Sequence, residues 1–222
     1  MAKARADGRA RRILLVDDHP VMRQGLRELL SREPDLEICG EAEDAQEAVR
    51  MVESLSPDIM IVDISLKGSS GIDLLKRIRA MHPEVRMLVA SMHDEVLYAD
   101  RALRAGAMGY VSKQEAAEML LDAVRHVLRG GVYMSPEMRA RILARAPGEP
   151  KGDGSPVASL SDRELEVFEA IGTGRSTREI AEQLHLSVKT IETHRENIKR
   201  KLGLTGNIEL IRRSCRWVLE RE

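Results

Sequence analysis

The sequence predicts an α/β domain, a five-stranded parallel sheet doubly wound by helices, followed by a small all-α domain of four helices. Three observations predict it. Between Ile13 and Leu128, five short apolar runs alternate with five longer stretches that repeat apolar residues every three or four positions. A segment over 131–158, whose core is "APGEPKGDGSPVAS", is rich in Gly, Pro and Ser and reads as a linker. From 159 to 222 only helical periodicity remains, punctuated by capping signals.

The apolar runs are "ILLVD" (13–17), "LEICG" (36–40), "DIMIVD" (58–63), "VRMLVAS" (85–91) and "GYVS" (109–112). They are too short and too continuous for amphipathic helices and suit strands buried on both faces. Between them lie "VMRQGLRELLS", "AQEAVRMVESL", "GIDLLKRIRAM" and "EVLYADRALRAG", with "EAAEMLLDAVRHVLR" at the end. In the third, Leu74, Leu75, Ile78 and Met81 fall at helical spacing. Pro20 suits the first position of the first helix, where a missing N–H costs little.

In the C-terminal part, "SDRE" (161–164) and "STRE" (176–179) each set a Ser three residues before a Glu, the capping-box arrangement. Gly172 and Gly174 end the first of these helices, and the second, about 176–184, stops at "HLS" (185–187). A third, "VKTIETHRENIKRKL", runs to Gly203, a C′ glycine. A helix, a three-residue turn and a longer basic helix form a helix-turn-helix. The last helix, about 206–219, carries Ile208, Ile211, Cys215 and Val218 on one stripe.

Composition narrows the function classes. The 222 residues are 43% hydrophobic and 32% charged, with ample material for a core. No run of about 18 apolar residues exists to cross a membrane. Residues 1–12 carry five basic side chains and one acidic, with no apolar signal-peptide core after them, and read as a disordered basic tail on a cytoplasmic protein. Cys39 and Cys215 form no disulfide framework, which fits a reducing compartment. The net charge of −1 hides an asymmetry: residues 13–128 hold 21 acidic against 13 basic groups, whereas 189–201 hold five basic against two acidic. "GEPKGDGS" lacks the spacing of a phosphate loop, "GTGRST" lies at a helix end, and no His stands at ligand spacing from another His or Cys.

The chemistry gathers at the carboxyl ends of the predicted strands, where crevices form in parallel sheets. Asp17 and Asp18 follow the first strand, Asp63 the third, Ser91 the fourth and Lys113 the fifth. Three carboxylates in one crevice repel one another unless a divalent cation neutralises them. Mg²⁺ suits oxygen ligands and sites completed by a phosphate. The Lys113 ammonium and the Ser91 hydroxyl are then placed to contact phosphoryl oxygens. Any one of these residues alone reads as a turn residue or helix cap; five together do not.

"LLVDDHP", "IMIVDISL…GSSGIDLL", "LVASMHDE" and "AGAMGYVSK" resemble the receiver domain of two-component response regulators, a flavodoxin-like fold. The resemblance implies that Asp63 is the phospho-acceptor. It implies that Asp18 and Asp63 ligand Mg²⁺ directly, with the backbone carbonyl of Ser65, while Asp17 acts mainly through water. Ser91 and Lys113 would contact the phosphoryl group, and Tyr110 would be the aromatic whose rotamer follows the movement of Ser91. Read from the residues alone, Tyr110 fits a half-buried strand aromatic equally well. Two positions depart from the common receiver pattern: Lys67 and Gln114 each stand where many receivers have Pro. The second puts a cis Lys113–Gln114 peptide in doubt, because a non-proline cis bond costs about 2.5–4 kcal/mol.

"LSDRELEVFEAIGTGRSTREIAEQLHLSVKTIETHRENIKRKLGL", residues 160–204, resembles the LuxR-type helix-turn-helix, and the pair of matches points to the NarL/FixJ class. On helix 188–202, Ile191, Ile198 and Leu202 face the core, with His194 on or near that stripe. Lys189, Glu192, Thr193, Glu196, Lys199 and Arg200 occupy the other side, where such side chains can meet base edges in a major groove. Thr190, Arg195 and Lys201 suit phosphates, which set register and supply salt-dependent affinity. A solvated, charge-laced helix is the competing reading for any one of these side chains.

The resemblance therefore implies a regulator that binds double-stranded DNA, takes phosphate from a histidine kinase and forms a homodimer when phosphorylated or DNA-bound, as paired half-sites require. It is not expected to be an enzyme or to engage a membrane. The acidic set alone would also fit a phosphoaspartyl hydrolase, for which the sequence offers neither a substrate lid nor a second acid/base. A vestigial receiver on a DNA-binding protein is a third reading, and the intact acidic set argues against it.

Overall fold

The computed structural model describes residues 9–93, 95–113, 117–136, 138–140 and 156–220. The chain falls into two compact units, Met1–Arg145 and Ala146–Glu222.

In the first unit, β1 (Arg11–Val16), β2 (Leu36–Ala42), β3 (Ile59–Val62), β4 (Arg86–Ser91) and β5 (Tyr110–Ser112) pair in parallel in the order β2-β1-β3-β4-β5. The connections run through α1 (Pro20–Leu30), α2 (Ala45–Leu55), α3 (Gly71–Met81) and α4 (Glu95–Ala105), and α5 (Ala117–Leu128) follows β5. The strands are continuous apolar runs because helices cover both sheet faces. Ile13, Leu15, Ile59, Ile61, Leu88, Ala90 and Val111 pack with Leu30, Leu120, Ala123, Val124 and Val127 in one cluster. The intervening Leu14, Val16, Met60, Val62, Met87 and Val89 are buried too, and the two-residue period turns them to the other face. Each such side chain stabilises the fold by about 1.5–3 kcal/mol. The sheet order reverses between β1 and β3, so the crevice opens beyond the carboxyl ends of those two strands.

Helix starts follow local chemistry. Asp44 caps α2 by accepting from the N–H groups of Gln46 and Glu47, and Ser70 caps α3 by accepting from Ile72. His19 occupies the cap of α1 without a side-chain cap bond, ahead of Pro20.

Two boundaries differ from the sequence expectation. Arg11 and Arg12, placed in the disordered tail by the sequence, are the first residues of β1. The Asp58 carboxylate accepts from the Arg12 N–H at 2.9 Å and the Arg11 guanidinium at 3.3 Å, while Asp58 N–H donates to the Arg12 carbonyl. These bonds fix the backbone of Arg12 and the guanidinium of Arg11 at the strand start; residues 1–8 lie outside the described residues. The segment expected as linker also begins later than residue 131. Tyr133 N–H donates to the Met108 carbonyl at 2.8 Å, Ser135 N–H donates to Glu95, and Met138 is buried. An aromatic ring and a methionine gain enough by burial to extend the first unit, while residues 141–155 lie outside the described residues.

In the second unit, α6 (Asp162–Gly172), α7 (Thr177–Gln183), α8 (Val188–Leu202) and α9 (Asn207–Leu219) follow a short 3-10 turn, Pro156–Ser159. Both capping boxes form, Ser161 with Glu164 and Ser176 with Glu179. Gly203 ends α8 in the left-handed region at φ 67°. Phe168 and Trp217 meet edge to face at 5.5 Å over a core of Leu165, Ile171, Ile180, Ile191, Ile198 and Leu210. The expected stripe on α9 is wrong in phase: Leu210, Ser214 and Trp217 face inward, while Ile208 and Ile211 are 76% and 45% exposed. Trp217 decides this, because its large ring gains most by burial. Among the described residues, no helix is long and apolar enough to cross a membrane.

Candidate functional site

The crevice is assembled by backbone bonds that continue the sheet past its strands. Asp17 N–H donates to the Ala42 carbonyl at 3.1 Å, Asp63 N–H to Val16 at 2.9 Å, and Lys113 N–H to Ser91 at 2.9 Å. These bonds bring together side chains 46 and 50 residues apart in sequence. Asp17 and Asp63 are 1% and 5% exposed. Lys113 Nζ donates to Asp17 Oδ2 and Asp63 Oδ2, each at 2.7 Å. Burial works against the charge on Lys113, but the Asp63 and Asp17 carboxylates outweigh it and hold its pKa above the ordinary lysine value.

Ligand atoms of Asp17, Asp18, His19 and Asp63 all lie within 4.8 Å of one another. The Lys113 ammonium is shared between Asp17 and Asp63 in a crevice that holds three carboxylates, and Asp63 Oδ1 is buried with no hydrogen-bond partner among the described residues. A hard divalent cation would satisfy that oxygen and the surplus negative charge together, so the residues present fit Mg²⁺.

The loop after Asp63 folds into an antiparallel hairpin, Ser65–Leu66 with Ser69–Ser70, turning through Lys67 and Gly68. Gly68 has φ 72°, so this glycine, rather than a proline at Lys67, shapes the turn. Gly71 N–H donates to the Ile64 carbonyl at 2.6 Å, and a Cβ on Gly71 would lie 2.0 Å from the Asp63 carbonyl oxygen. The loop that follows Asp63 therefore rests directly on the start of α3.

Ser91 is fully buried at the end of β4, and its Oγ accepts from His93 N–H at 3.3 Å. Tyr110 is 1% exposed rather than half-buried, and its hydroxyl donates to the His93 carbonyl at 2.7 Å. The His93 Nε2 lies 2.8 Å from Ser65 Oγ, and its ring packs tilted against Tyr98 with centroids 4.6 Å apart. His93 thus joins the 65–70 hairpin to the loop that carries Ser91. Neither His93 nor His19 stands at ligand spacing from another His or Cys, so the sequence singles out neither; their partners are a serine and the adjoining carboxylates. The Lys113–Gln114 peptide lies outside the described residues.

In the second unit, Ile191 and Ile198 are fully buried on α8. His194 is half-buried beside them, and burial pushes its pKa down. Lys189, Glu192, Thr193, Glu196 and Arg200 are exposed. Lys199 is half-buried with its Nζ 2.8 Å from Glu196. Thr190 Oγ1 lies 2.8 Å from Ser187 Oγ at the helix cap, and Arg195 donates to Thr177 Oγ1 on α7 at 3.1 Å. Lys201, expected to meet a phosphate, donates to Glu164 at 2.6 Å.

Comparison with known proteins follows the same division. A family profile described as "Response regulator receiver domain" matches residues 13–125, and one described as "Bacterial regulatory proteins, luxR family" matches 158–214. The oxygen regulatory protein NreC of Staphylococcus carnosus is 36% identical over 205 residues, spanning 90% of this chain and 94% of its own. The transcriptional regulatory protein DegU of Brevibacillus brevis is 31% identical over 222 residues, spanning 93% and 94%. Among solved structures, RcsB from Salmonella enterica serovar Typhimurium, bound to promoter rprA in the presence of phosphomimetic BeF3-, superimposes with TM-score 0.59 at 27% identity, covering 91% of this chain and 97% of that one.

Proposed function

Because the chain belongs to the NarL/FixJ class of response regulators, transcription regulators that pair a receiver domain with a LuxR-type DNA-binding domain, we propose that Asp63 accepts a phosphoryl group from a histidine kinase and thereby controls dimerisation and DNA binding. The observation that carries this reading is the state of Asp63. Its carboxylate is nearly dry, one oxygen is held by Lys113 at 2.7 Å, and the other has no hydrogen-bond partner among the described residues.

In the transfer, an Asp63 oxygen forms a bond to phosphorus as the bond from phosphorus to the kinase's histidine nitrogen breaks, and that nitrogen keeps the electron pair. Lys113 holds the acceptor in place and then faces the added phosphoryl oxygens. Mg²⁺, held by Asp18, Asp63 and the Ser65 carbonyl with Asp17 acting through water, would supply positive charge against those oxygens. Ser91, fully buried beside the crevice, turns its hydroxyl from the His93 N–H to a phosphoryl oxygen. Tyr110, tied by its hydroxyl to the His93 carbonyl, follows that loop. The surface of α4 and β5 changes with them, the bistable element that a phosphorylation switch needs.

On this reading the receiver is the first unit, from the start of β1 through Met138, and the DNA-binding domain occupies 159–222. Lys189, Glu192, Thr193, Glu196, Lys199 and Arg200 face base edges, while Thr190 and Arg195 meet phosphates. A dimer presents two copies of α8 to paired half-sites, and the regulator acts in the cytoplasm.

Incubation with Mg²⁺ and a small acyl phosphate, followed by intact mass and DNA-binding measurements, tests the reading. A single phosphoryl adduct is expected, absent from Asp63→Asn, with tighter DNA binding and a shift toward dimer. An adduct on Asp63→Asn would sink the assignment of the acceptor. An adduct that leaves DNA affinity and oligomeric state unchanged would sink the coupling.

A further inference from the structure

The acidic crevice contains one group that an all-oxygen Mg²⁺ site does not require. His19 is fixed over it by its backbone: its N–H donates to Asp17 Oδ1 at 2.9 Å, and Pro20 sets the start of α1 directly behind it. Its Nδ1 lies 2.7 Å from Asp18 Oδ1 and 3.5 Å from Asp17 Oδ1. Two neighbouring ligands of an octahedral ion with bonds of about 2.1 Å sit about 3.0 Å apart, and opposite ligands about 4.2 Å. Both imidazole separations bracket the first figure, and the 4.8 Å limit on the whole set of Asp17, Asp18, His19 and Asp63 accommodates the second. A ligand in the crevice is indicated independently by the buried Asp63 Oδ1, which has no hydrogen-bond partner among the described residues.

Resting on the reading of this crevice as a divalent-cation site, we propose that His19 is a further metal ligand there, through an imidazole nitrogen, and that it raises the crevice's affinity for Mn²⁺ and Zn²⁺ more than for Mg²⁺. Imidazole is a softer donor than carboxylate. It gains little from Mg²⁺, which retains water in that position, and more from first-row transition ions, with Zn²⁺ above Mn²⁺ in the affinity order. The side chain is 62% exposed and makes no cap bond to α1, so it can leave Asp18 for an ion without disturbing the core. Identity of the bound ion would then alter the tie between the first turn of α1 and the crevice, a consequence that an oxygen-only site lacks.

The full chain, stripped with EDTA, is titrated calorimetrically with MgCl₂, MnCl₂ and ZnCl₂ in turn, alongside His19→Ala, His19→Gln and Asp18→Asn. The Mn²⁺ complexes are also examined by pulsed EPR for coupling to a ligated nitrogen. The wild type is expected to show that coupling and both His19 variants to lack it. The His19 variants should bind Mn²⁺ about tenfold more weakly and Zn²⁺ more weakly still, with Mg²⁺ changed by less than about threefold. Absence of nitrogen coupling in the wild type overturns the proposal. Equal weakening for all three ions overturns it too, since His19 would then be acting on the carboxylates rather than the metal. If no ion binds, or if Asp18→Asn leaves Mg²⁺ affinity unchanged, the cation-site reading itself fails; if Mg²⁺ binds normally and the His19 variants behave as wild type toward Mn²⁺ and Zn²⁺, the His19 assignment alone fails.

Discussion

Lys113 Nζ lies 2.7 Å from Asp63 Oδ2 and 2.7 Å from Asp17 Oδ2, so one ammonium, itself 2% exposed on its side chain, joins the ends of β1, β3 and β5. Taking away one member of a buried ion pair leaves uncompensated charge and costs about 3–5 kcal/mol. Lys113→Met is therefore expected to destabilise the chain by about 3 kcal/mol in EDTA and by clearly less in excess Mg²⁺, read by urea unfolding under both conditions. The same variant should form the acyl-phosphate adduct far more slowly. Equal destabilisation with and without Mg²⁺ would mean that Lys113 stabilises the fold by packing rather than by charge.

Gly71 makes a second test of how Asp63 is held. A Cβ there would sit 2.0 Å from the Asp63 carbonyl oxygen and 2.9 Å from the Ile64 Cα, both backbone atoms that no side-chain rotation can move aside. Gly71→Ala should cost about 1–3 kcal/mol through overpacking and displace the Asp63 loop, lowering the rate of adduct formation. Gly25→Ala, on α1 where nothing lies within 4 Å of the added methyl, is the control and should not destabilise.

What the sequence made legible was whatever depends on strand and helix periodicity. Asp17, Asp18, Asp63, Ser91 and Lys113 could be placed in one crevice because continuous apolar runs mark where parallel strands end, and those ends share one edge of the sheet. Features fixed by long-range partners were not legible. Arg11 and Arg12 look like tail residues until Asp58, 46 or 47 positions away, is seen to hold them. The hairpin at 65–70 has two residues per strand, too few for any period, and is set by Gly68 and the contact at Gly71. On α9 two apolar stripes compete, and the choice between them depends on Trp217 finding Phe168. His19 and His93 carry no spacing signature at all, because their partners are a carboxylate beside one and a serine 28 residues from the other.

Acidification should weaken the second unit in a way traceable to Glu164. Burial works against its carboxylate, but the Lys201 ammonium at 2.6 Å and the hydrogen bonds from Ser161 outweigh it and hold the pKa below the ordinary glutamate value. A carboxyl with a lowered folded-state pKa adds stability that is complete above its unfolded value and is lost as pH falls through the folded one. Trp217, the sole tryptophan, reports on this unit alone. Its fluorescence in urea titrations should show midpoints falling as pH drops below about 4.5, the range of an unfolded glutamate. Glu164→Gln retains a side chain able to reach the Ser161 N–H but carries no charge, and should flatten that fall. An unchanged pH dependence would remove Glu164 as its source.

The same pair separates two kinds of basic residue on α8. Lys189 is exposed near the start of the helix, whereas the Lys201 ammonium is engaged by Glu164 and the Ser159 carbonyl. A side chain that reads a base edge contributes about 1–3 kcal/mol of discrimination at one position, and a phosphate contact contributes about one unit to the salt slope of binding. Lys189→Ala should therefore weaken binding to the operator and relax preference at one base pair. Lys201→Met should instead lower the urea midpoint followed by Trp217 and leave the slope of log affinity against log salt unchanged. Fluorescence anisotropy across a salt series checks both. Should Lys201→Met lower the slope by about one unit while stability stays fixed, the ammonium must exchange Glu164 for a phosphate when DNA binds, and the ion pair would be a feature of the free protein alone.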